Sequence, residues 1–232
     1  MSAMVTGVTL GSFEHLPAHS RRCSFWVLDP TSDGAAVDLE FENEVWLSTI
    51  MLEWGSCGQL LSVDGDTIGC ALYCPPRAVP RASTFPTSPV SPDAVLLTQL
   101  RIDSPADADL HSATLIQAVV GDLVNRGVRA LEAFGIRHNA DDASPAIPNA
   151  TAHATCSAAT CMIDADFLEK VGFEVVAPHH RFPRLRLELD RDHGWKQDVE
   201  SALEQLLVAA SISVARGRRR SGTVGGCEFL GQ

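Results

Sequence analysis

The hydrophobic pattern of this chain is clearest over residues 94–135, where its period changes twice. Residues 95–102 are apolar on both faces, which predicts a strand inside a sheet. Residues 113–125 carry apolar side chains three and four positions apart, which predicts an amphipathic helix. Residues 130–134 predict a second, shorter strand. The stretch therefore predicts a strand–helix–strand unit, in which a connection of nine residues, 104–112, leads into the helix.

The segments before this unit predict a short strand, a helix and a hairpin. Residues 5–10 predict a first strand, and residues 38–54 have apolar positions close to helical spacing with a glycine directly after them. An Asp-Gly pair stands between two apolar runs, 59–63 and 67–73, which is the strongest short-range pattern for a hairpin. Residues 77–92 are rich in Pro, Ser and Thr, and they predict a long loop.

The segments after the unit predict smaller elements. Residues 136–160 have little pattern and predict a flexible excursion. A short helix with Asp164 as its N-cap is expected within residues 161–171. Residues 173–177 and 185–189 predict two more strands, and residues 195–209 an amphipathic helix. The whole order predicts an α/β (α+β) fold in which a mixed sheet carries helices on its faces.

The pattern also predicts how the chain divides. Residues 1–190 are expected to form one domain, residues 191–210 an added C-terminal helix, and residues 211–232 a basic, mobile tail. These expectations leave a homodimer open, since the C-terminal helix and the acidic surface are both available to a second copy.

Composition narrows the classes of partner. The chain has 232 residues and a net charge of −11 at pH 7, which argues against nucleic acid and against an anionic membrane surface as general partners. The sequence shows no secretory pattern and no apolar run of the about 20 residues needed to span a bilayer. The expectation is a soluble cytoplasmic protein.

The seven cysteines are scattered along the chain. The closest pairs, Cys70 with Cys74 and Cys156 with Cys161, are spaced more widely than the tightest cysteine pairs of zinc sites. The prediction is therefore reduced, mostly buried thiols and no metal site.

Three features of the sequence together resemble the GNAT superfamily of acyl-CoA-dependent N-acetyltransferases. They are an apolar strand ending in LRI with a nine-residue connection and a long helix, the segment DFLEKVGFEVV at residues 166–176, and the hairpin before the central strand. The resemblance covers residues 60–189, and the more extended run of segments resembles actinobacterial members. It implies a central mixed, mostly antiparallel twisted sheet with helices on both faces.

The resemblance also implies an activity, in which an acetyl group moves from acetyl-CoA to an amine of a small molecule or peptide. The pantetheine arm would enter where the central strand splays from its neighbour, and the pyrophosphate would meet the helix N-terminus. The cofactor-binding positions that follow are the end of the strand, the start of the helix and one aromatic residue: Leu100, Arg101, Ile102, Ala108, Asp109, Leu110, His111, Ser112 and Phe167.

The connection departs from the family pattern, which is usually Arg/Gln-x-x-Gly-x-Gly/Ala. Its glycine positions fall on Ala108, Leu110 and Ser112, and no glycine stands between Arg101 and Gly121. Three carboxylates also lie near the expected pyrophosphate, at Asp103, Asp107 and Asp109, and like charges there repel it. The alternative is therefore a non-catalytic GNAT-fold binding or regulatory protein that no longer binds acetyl-CoA productively.

The catalytic groups implied by the resemblance are also atypical. Leu168 occupies the position at which the family commonly has a tyrosine acid, so Cys161 or a water molecule is the candidate acid. Glu132 and His179 are candidate bases. The opposing interpretation makes Glu132 a surface residue at the start of a strand and His179 an ordinary loop residue.

Overall fold

The computed structural model describes residues 3–28, 38–103, 108–138 and 156–189. Within them the strands form one sheet with the path β1-β2-β3-β4-β5-β8-β7, and the short β6 pairs with β5. Their bounds are β1 Ala3–Gly7, β2 Gly58–Val63, β3 Asp66–Cys74, β4 Ala94–Ile102, β5 Ala130–Ile136, β6 Ile163–Asp164, β7 Glu174–Ala177 and β8 Arg184–Glu188. Strand β5 runs parallel to β4 and β6, and the other pairs are antiparallel. The predicted mixed, mostly antiparallel sheet is confirmed.

Helices cover both faces of this sheet, as the resemblance implies. The α-helices of the described residues are α1 Ala18–Arg22, α2 Leu39–Trp54, α3 Ala108–Asn125, α4 Ala158–Cys161 and α5 Ala165–Lys170. One core cluster joins α2 and the N-terminal residues to one face, with Trp26, Leu47 and Ile50 buried in it. A second cluster joins α3 and α5 to the opposite face. None of the described helices has the length and apolar character needed to cross a membrane.

The hairpin and the second helix follow from local chemistry and match their predictions. The Asp38 side chain accepts hydrogen bonds from the backbone N–H groups of Glu40 and Phe41, so it caps α2. In the hairpin, Asp64 and Gly65 both have positive φ, at 52° and 99°. Asn, Asp and Gly are the residues that accept this conformation most readily, which is why the Asp-Gly pair marks the turn.

Three predicted boundaries are wrong. The first strand, expected over residues 5–10, is Ala3–Gly7. Helix α3 begins at Ala108 instead of residue 113, because an acidic first turn extends the helix beyond its apolar stripe. The expected helix over residues 161–171 is divided into α4, β6 and α5, and α5 begins only after Asp164, whose carboxylate accepts from Phe167 N at 2.8 Å. The N-cap prediction for Asp164 is thus confirmed. The predicted excursion lies largely, and the C-terminal helix and tail lie entirely, outside the described residues.

Strands β4 and β5 separate soon after they meet. They pair at Ala94–Ala130, Val95–Leu131 and Leu96–Glu132. Just beyond this point Thr98 is an extra residue in β4, because Leu97 pairs with Tyr73 of β3 and the next pair joins Gln99 to Leu72. A bulge of this kind bends its strand and increases the local twist. The Thr98 hydroxyl donates to the carbonyl oxygen of Leu72 at 3.0 Å, which holds the bulge in place.

Candidate functional site

The candidate site is the gap that opens between β4 and β5. Strand β8 and its preceding loop occupy one edge of β5, where Gly135 N donates to Pro183 O at 2.9 Å. Strand β6 occupies the other edge at Gly135 and Ile136, on the side of β4. Residues 99–101 of β4 therefore face residues 160–162, and the cavity lined by these two segments, His19 and Cys23 has a volume of about 30 Å³. This is more than a single water molecule needs and far less than the roughly 300 to 1,000 Å³ of a usual ligand pocket.

The predicted cofactor residues of β4 lie at this gap. Leu100, Arg101 and Ile102 end the strand and are half-buried. Arg101 lines the cavity, and its Nε lies 3.2 Å from Asp103 Oδ1. The structure therefore places a guanidinium at the end of β4, but a neighbouring carboxylate pairs with it.

The predicted residues of the connection lie in the helix instead of a loop. Ala108, Asp109, Leu110, His111 and Ser112 form the start of α3. The first backbone N–H groups of a helix have no intrahelical acceptor, and they attract anions. The exposed Asp109 carboxylate already provides a negative charge in this turn. The backbone N–H groups of this turn thus suit a phosphate, whereas the negative charge of Asp109 repels one.

Phe167 is the remaining predicted cofactor residue. It lies in α5 and is half-buried against the core cluster that joins α3 and α5 to the sheet. Its surroundings in the structure are those of a packing residue.

Glu132 lies at the point where β4 and β5 separate, but both oxygens of its carboxylate already accept hydrogen bonds. The residue is 0% exposed. Arg184 Nη1 donates to Oε2, Arg186 Nη1 to Oε1 at 3.1 Å, and Ser91 N to Oε2 at 3.2 Å. Burial alone would raise the pKa of Glu132, but the hydrogen bonds from Ser91 and the two arginines outweigh it and lower the pKa. A general base needs an oxygen directed at its substrate, so this geometry favours a structural ion pair between β5 and β8.

His179 lies on the other edge of β5. Its Nδ1 accepts from Arg181 N at 3.1 Å and from Phe182 N at 2.9 Å, which places the proton of the neutral ring on Nε2. The adjoining Arg181 O accepts from Arg137 N, on the β8 side. The structure thus places His179 and the gap on opposite edges of β5, and it does not join His179 to Cys161 in one site.

Cys161 does line the gap, and it lies within a cluster that the sequence analysis did not predict. Its Sγ is 3.5 Å from His19 Nε2. His19, Cys23, Cys156 and Cys161 each contribute one atom, and these atoms all lie within 4.8 Å of one another. The spacing of both pairs was visible in the sequence: four residues separate Cys156 from Cys161, within the usual range for zinc ligands, and His19 and Cys23 are four positions apart.

Contacts within the cluster set its protonation. Hydrogen bonds with Cys161 and Cys23 lower the pKa of Cys156, and hydrogen bonds with Cys156 and Cys161 raise the pKa of Cys23. The hydrogen bond with Cys156 raises the pKa of Cys161. Burial and then the nearby Arg101 lower the pKa of His19. These directions make Cys156 the most acidic of the three thiols.

No family model and no curated protein matches the chain. An N-acetyltransferase from Staphylococcus aureus Mu50 is 12% identical, covers 82% of this chain and 100% of its own, and has a TM-score of 0.48. The PaiA N-acetyltransferase from Thermoplasma acidophilum, solved in complex with coenzyme A, is 11% identical with coverages of 81% and 99% and a TM-score of 0.47.

A third similar structure is the ribosomal-protein-S18-alanine N-acetyltransferase from Escherichia coli. It is 14% identical, with coverages of 83% and 97% and a TM-score of 0.44. The fold itself is established by the strand order and the strand pairing. The resemblance to actinobacterial members stays a prediction.

Proposed function

We propose that this protein is an acyl-CoA-dependent acyltransferase that moves an acetyl group from acetyl-CoA to an amine of a small molecule or peptide. The observation that carries this proposal is the separation of β4 and β5 directly after the Leu96–Glu132 pair. Beyond that pair, β4 continues for six residues to Ile102 on β3 alone, so its other edge offers backbone N–H and C=O groups to an extended, amide-containing arm. The pantetheine arm of coenzyme A has this chemistry.

The chain supplies binding groups along the same path. The start of α3 follows the end of β4 after a short connection, so the N–H groups of its first turn, which have no acceptor within a helix, are the candidates for the pyrophosphate. Acetyl-CoA supplies a thioester, which an amine attacks at the carbonyl carbon with loss of the coenzyme thiolate. The amine must be neutral to attack, and with Glu132 held by two arginines its proton passes to water.

The fit is incomplete in two places. A cavity of about 30 Å³ is too small for a pantetheine arm, so binding must displace residues 160–162 from β4. Asp109 in the first turn of α3 must also be tolerated near the pyrophosphate. Both features lower the expected affinity, and binding in the millimolar range is enough to sustain the proposal.

The same two features support a second candidate, a non-catalytic binding or regulatory protein on this fold. Its carrying observation is the closure of the gap by residues 160–162. The two candidates differ in whether acetyl-CoA binds and is consumed.

Calorimetric titration of the full chain with acetyl-CoA separates them. Saturable binding, competed by coenzyme A, supports the first candidate, and release of coenzyme A in the presence of an amine mixture, followed by chromatography, establishes turnover. Absence of binding at millimolar acetyl-CoA sinks the acyltransferase and leaves the second candidate. Chromatography is preferred to a thiol reagent because the chain has seven cysteines of its own.

A further inference from the structure

The cluster of His19, Cys23, Cys156 and Cys161 has the dimensions of a metal site. A tetrahedral zinc ion with Zn–S of about 2.3 Å and Zn–N of about 2.0 Å places neighbouring ligand atoms about 3.5 to 3.8 Å apart. The contact between Cys161 Sγ and His19 Nε2 is 3.5 Å, and the four atoms lie within 4.8 Å of one another. Small movements of the side chains therefore complete the tetrahedron.

Short helices bring the ligands together in pairs. His19 lies in α1 and Cys23 follows its last residue, so the two are four positions apart and lie on one face. Cys156 precedes α4 and Cys161 ends it, with Cys161 N donating to Ser157 O at 2.9 Å. The Trp26 indole also donates to the carbonyl oxygen of Cys161 at 3.4 Å. The backbone around both pairs is thus positioned without the metal.

The surroundings partly shield the four ligands from water. Cys23 is 1% and Cys161 8% exposed, whereas His19 and Cys156 are half-buried. The thiols are free, so no disulfide competes for these sulfur atoms in the structure. Arg101, which lines the adjoining cavity with His19, Cys23 and Cys161, brings a positive charge to the cluster.

We propose that His19, Cys23, Cys156 and Cys161 bind one Zn²⁺ in a closed, tetrahedral Cys₃His site. Three sulfur ligands and one imidazole select zinc over the hard cations magnesium and calcium. Each thiol binds as a thiolate and releases its proton to solvent, so three thiolates and Zn²⁺ leave a net charge of −1 beside the ion pair of Arg101 and Asp103. Four protein ligands leave no open position, which makes the site structural.

The ion would connect parts of the chain that are distant in sequence. His19 and Cys161 are 142 residues apart. Zinc would hold the N-terminal segment against residues 156–161, and hence fix the segment that faces β4. Cys161 would then be a bound thiolate with no proton to give, which removes it as a general acid. The site does not depend on the proposed function.

Metal content of the full chain, purified under reducing conditions without chelator, tests the inference. One zinc per chain by elemental mass spectrometry is expected. His19→Ala and Cys161→Ala should lose most of it. His15→Ala, an exposed histidine one turn before, and Cys57→Ala, a buried thiol of the same core outside the cluster, should keep it.

A ligand swap keeps the test decisive if the alanine variants fold poorly. His19→Cys converts the site to four thiolates and should retain one zinc, whereas a residue needed only for packing would not be replaced by cysteine in this way. Cobalt added to the stripped protein should show the absorption of tetrahedral thiolate coordination. Since Cys227 lies outside the described residues, each measurement is repeated in a Cys227→Ser background.

The inference is overturned if the reduced protein takes up no zinc, or if His19→Ala holds as much zinc as the unmodified chain. It is also overturned if thiol counting of the freshly purified chain, without reductant, finds two of the three cluster cysteines joined in a disulfide.

Discussion

Glu132 shows how a single carboxylate can connect two strands. Its oxygens accept from Arg184 and Arg186 of β8, whose side chains are only 13% and 14% exposed. Arg186 also reaches Asp93 at 3.0 Å and Glu188 at 2.6 Å. Removing one member of a buried pair leaves the partner charge without compensation, which is more costly than losing an exposed pair.

Glu132→Gln should therefore destabilise the protein by about 3 kcal/mol in chemical denaturation. Glu188→Gln is the matched control, because it removes another carboxylate of the same network whose side chain is 65% exposed, and its cost should stay below about 1 kcal/mol. Equal effects of the two substitutions would contradict the structural role assigned to Glu132.

The same network gives stability a pH dependence. The pKa of Glu132 is lower in the folded chain than its ordinary value of 4.5, so the unfolded chain binds the proton more readily. The stabilising contribution is complete above that ordinary value and is lost as the pH falls through the folded pKa. Denaturation curves measured between neutral and acidic pH should show a steeper loss in the unmodified chain than in Glu132→Gln. Parallel losses in the two would show that other groups are responsible.

The negative charge of Asp109 should weaken the binding of a phosphate by the backbone N–H groups at the start of α3. Asp109→Asn removes one negative charge from an exposed position in the first turn. If the pyrophosphate binds there, affinity for acetyl-CoA should rise about three- to tenfold at low salt, which corresponds to about 1 kcal/mol. Glu44→Gln, an exposed carboxylate on α2, should leave the affinity unchanged in the same calorimetric titration. Weaker binding of acetyl-CoA by Asp109→Asn would show that the pyrophosphate does not bind at the start of α3.

At the scale of elements, the close packing of β3 against the end of β4 depends on one glycine. Gly69 in β3 lies opposite Ile102 at the end of β4. A Cβ atom there would lie 2.6 Å from the carbonyl oxygen of Arg101 and 2.5 Å from Cδ1 of Ile102. The backbone of Arg101 cannot move aside as a flexible side chain can. The absence of a Cβ atom at Gly69 therefore allows β3 to pack closely against the end of β4.

Two glycine-to-alanine changes should therefore have opposite signs. Gly69→Ala should destabilise the chain by about 2 kcal/mol through overpacking. Gly121→Ala, inside α3, meets nothing within 4 Å and should stabilise it by about 1 kcal/mol through helix propensity. Both are read from thermal unfolding, and a stabilising Gly69→Ala would contradict the packing at the end of β4.

Elements were predictable where local chemistry determines them. The Asp64-Gly65 turn, the Asp38 and Asp164 caps and the apolar face of α3 all depend on neighbouring residues, and the sequence predicted each element they belong to. The start of α3 was not predicted, because Asp109 and His111 interrupt the apolar pattern in its first turn. The Thr98 bulge was also missed, because it arises from the register between β3 and β4 and not from any pattern within β4.

At the scale of the whole molecule, the candidate site depends on contacts that periodicity does not reveal. The gap follows from the Thr98 bulge, and the segment that closes it comes from beyond β5. The four clustered ligands belong to two segments of the chain, and the first ligand, His19, is 142 residues from the last, Cys161. Each pair alone has an ordinary spacing, so only the fold shows that they meet. Glu132 could be selected by its position in the sequence, but its partners Arg184 and Arg186 follow only from the pairing of β5 with β8.

These two features of the molecule are coupled, if both proposals hold. Zinc keeps Cys161 beside His19, whereas an acyl-CoA arm must displace residues 160–162 from β4. Two ligands that require different positions of one segment weaken each other's binding, and by linkage the factor is the same in both directions. Acetyl-CoA should therefore bind more tightly to the zinc-free chain than to the zinc-loaded chain.

Calorimetry of both forms with acetyl-CoA measures the factor by which zinc weakens acetyl-CoA binding. Competition for zinc with a chromogenic chelator, with and without saturating acetyl-CoA, measures the factor by which acetyl-CoA weakens zinc binding. We expect a factor of about 5 to 100, typical of coupled sites, and agreement between the two values. Asp109→Asn serves as the control, since it should change acetyl-CoA affinity in both forms without changing their ratio. An equal affinity of the two forms would mean that the arm binds along β4 without moving residues 160–162, and that the zinc site and the gap are independent parts of the fold.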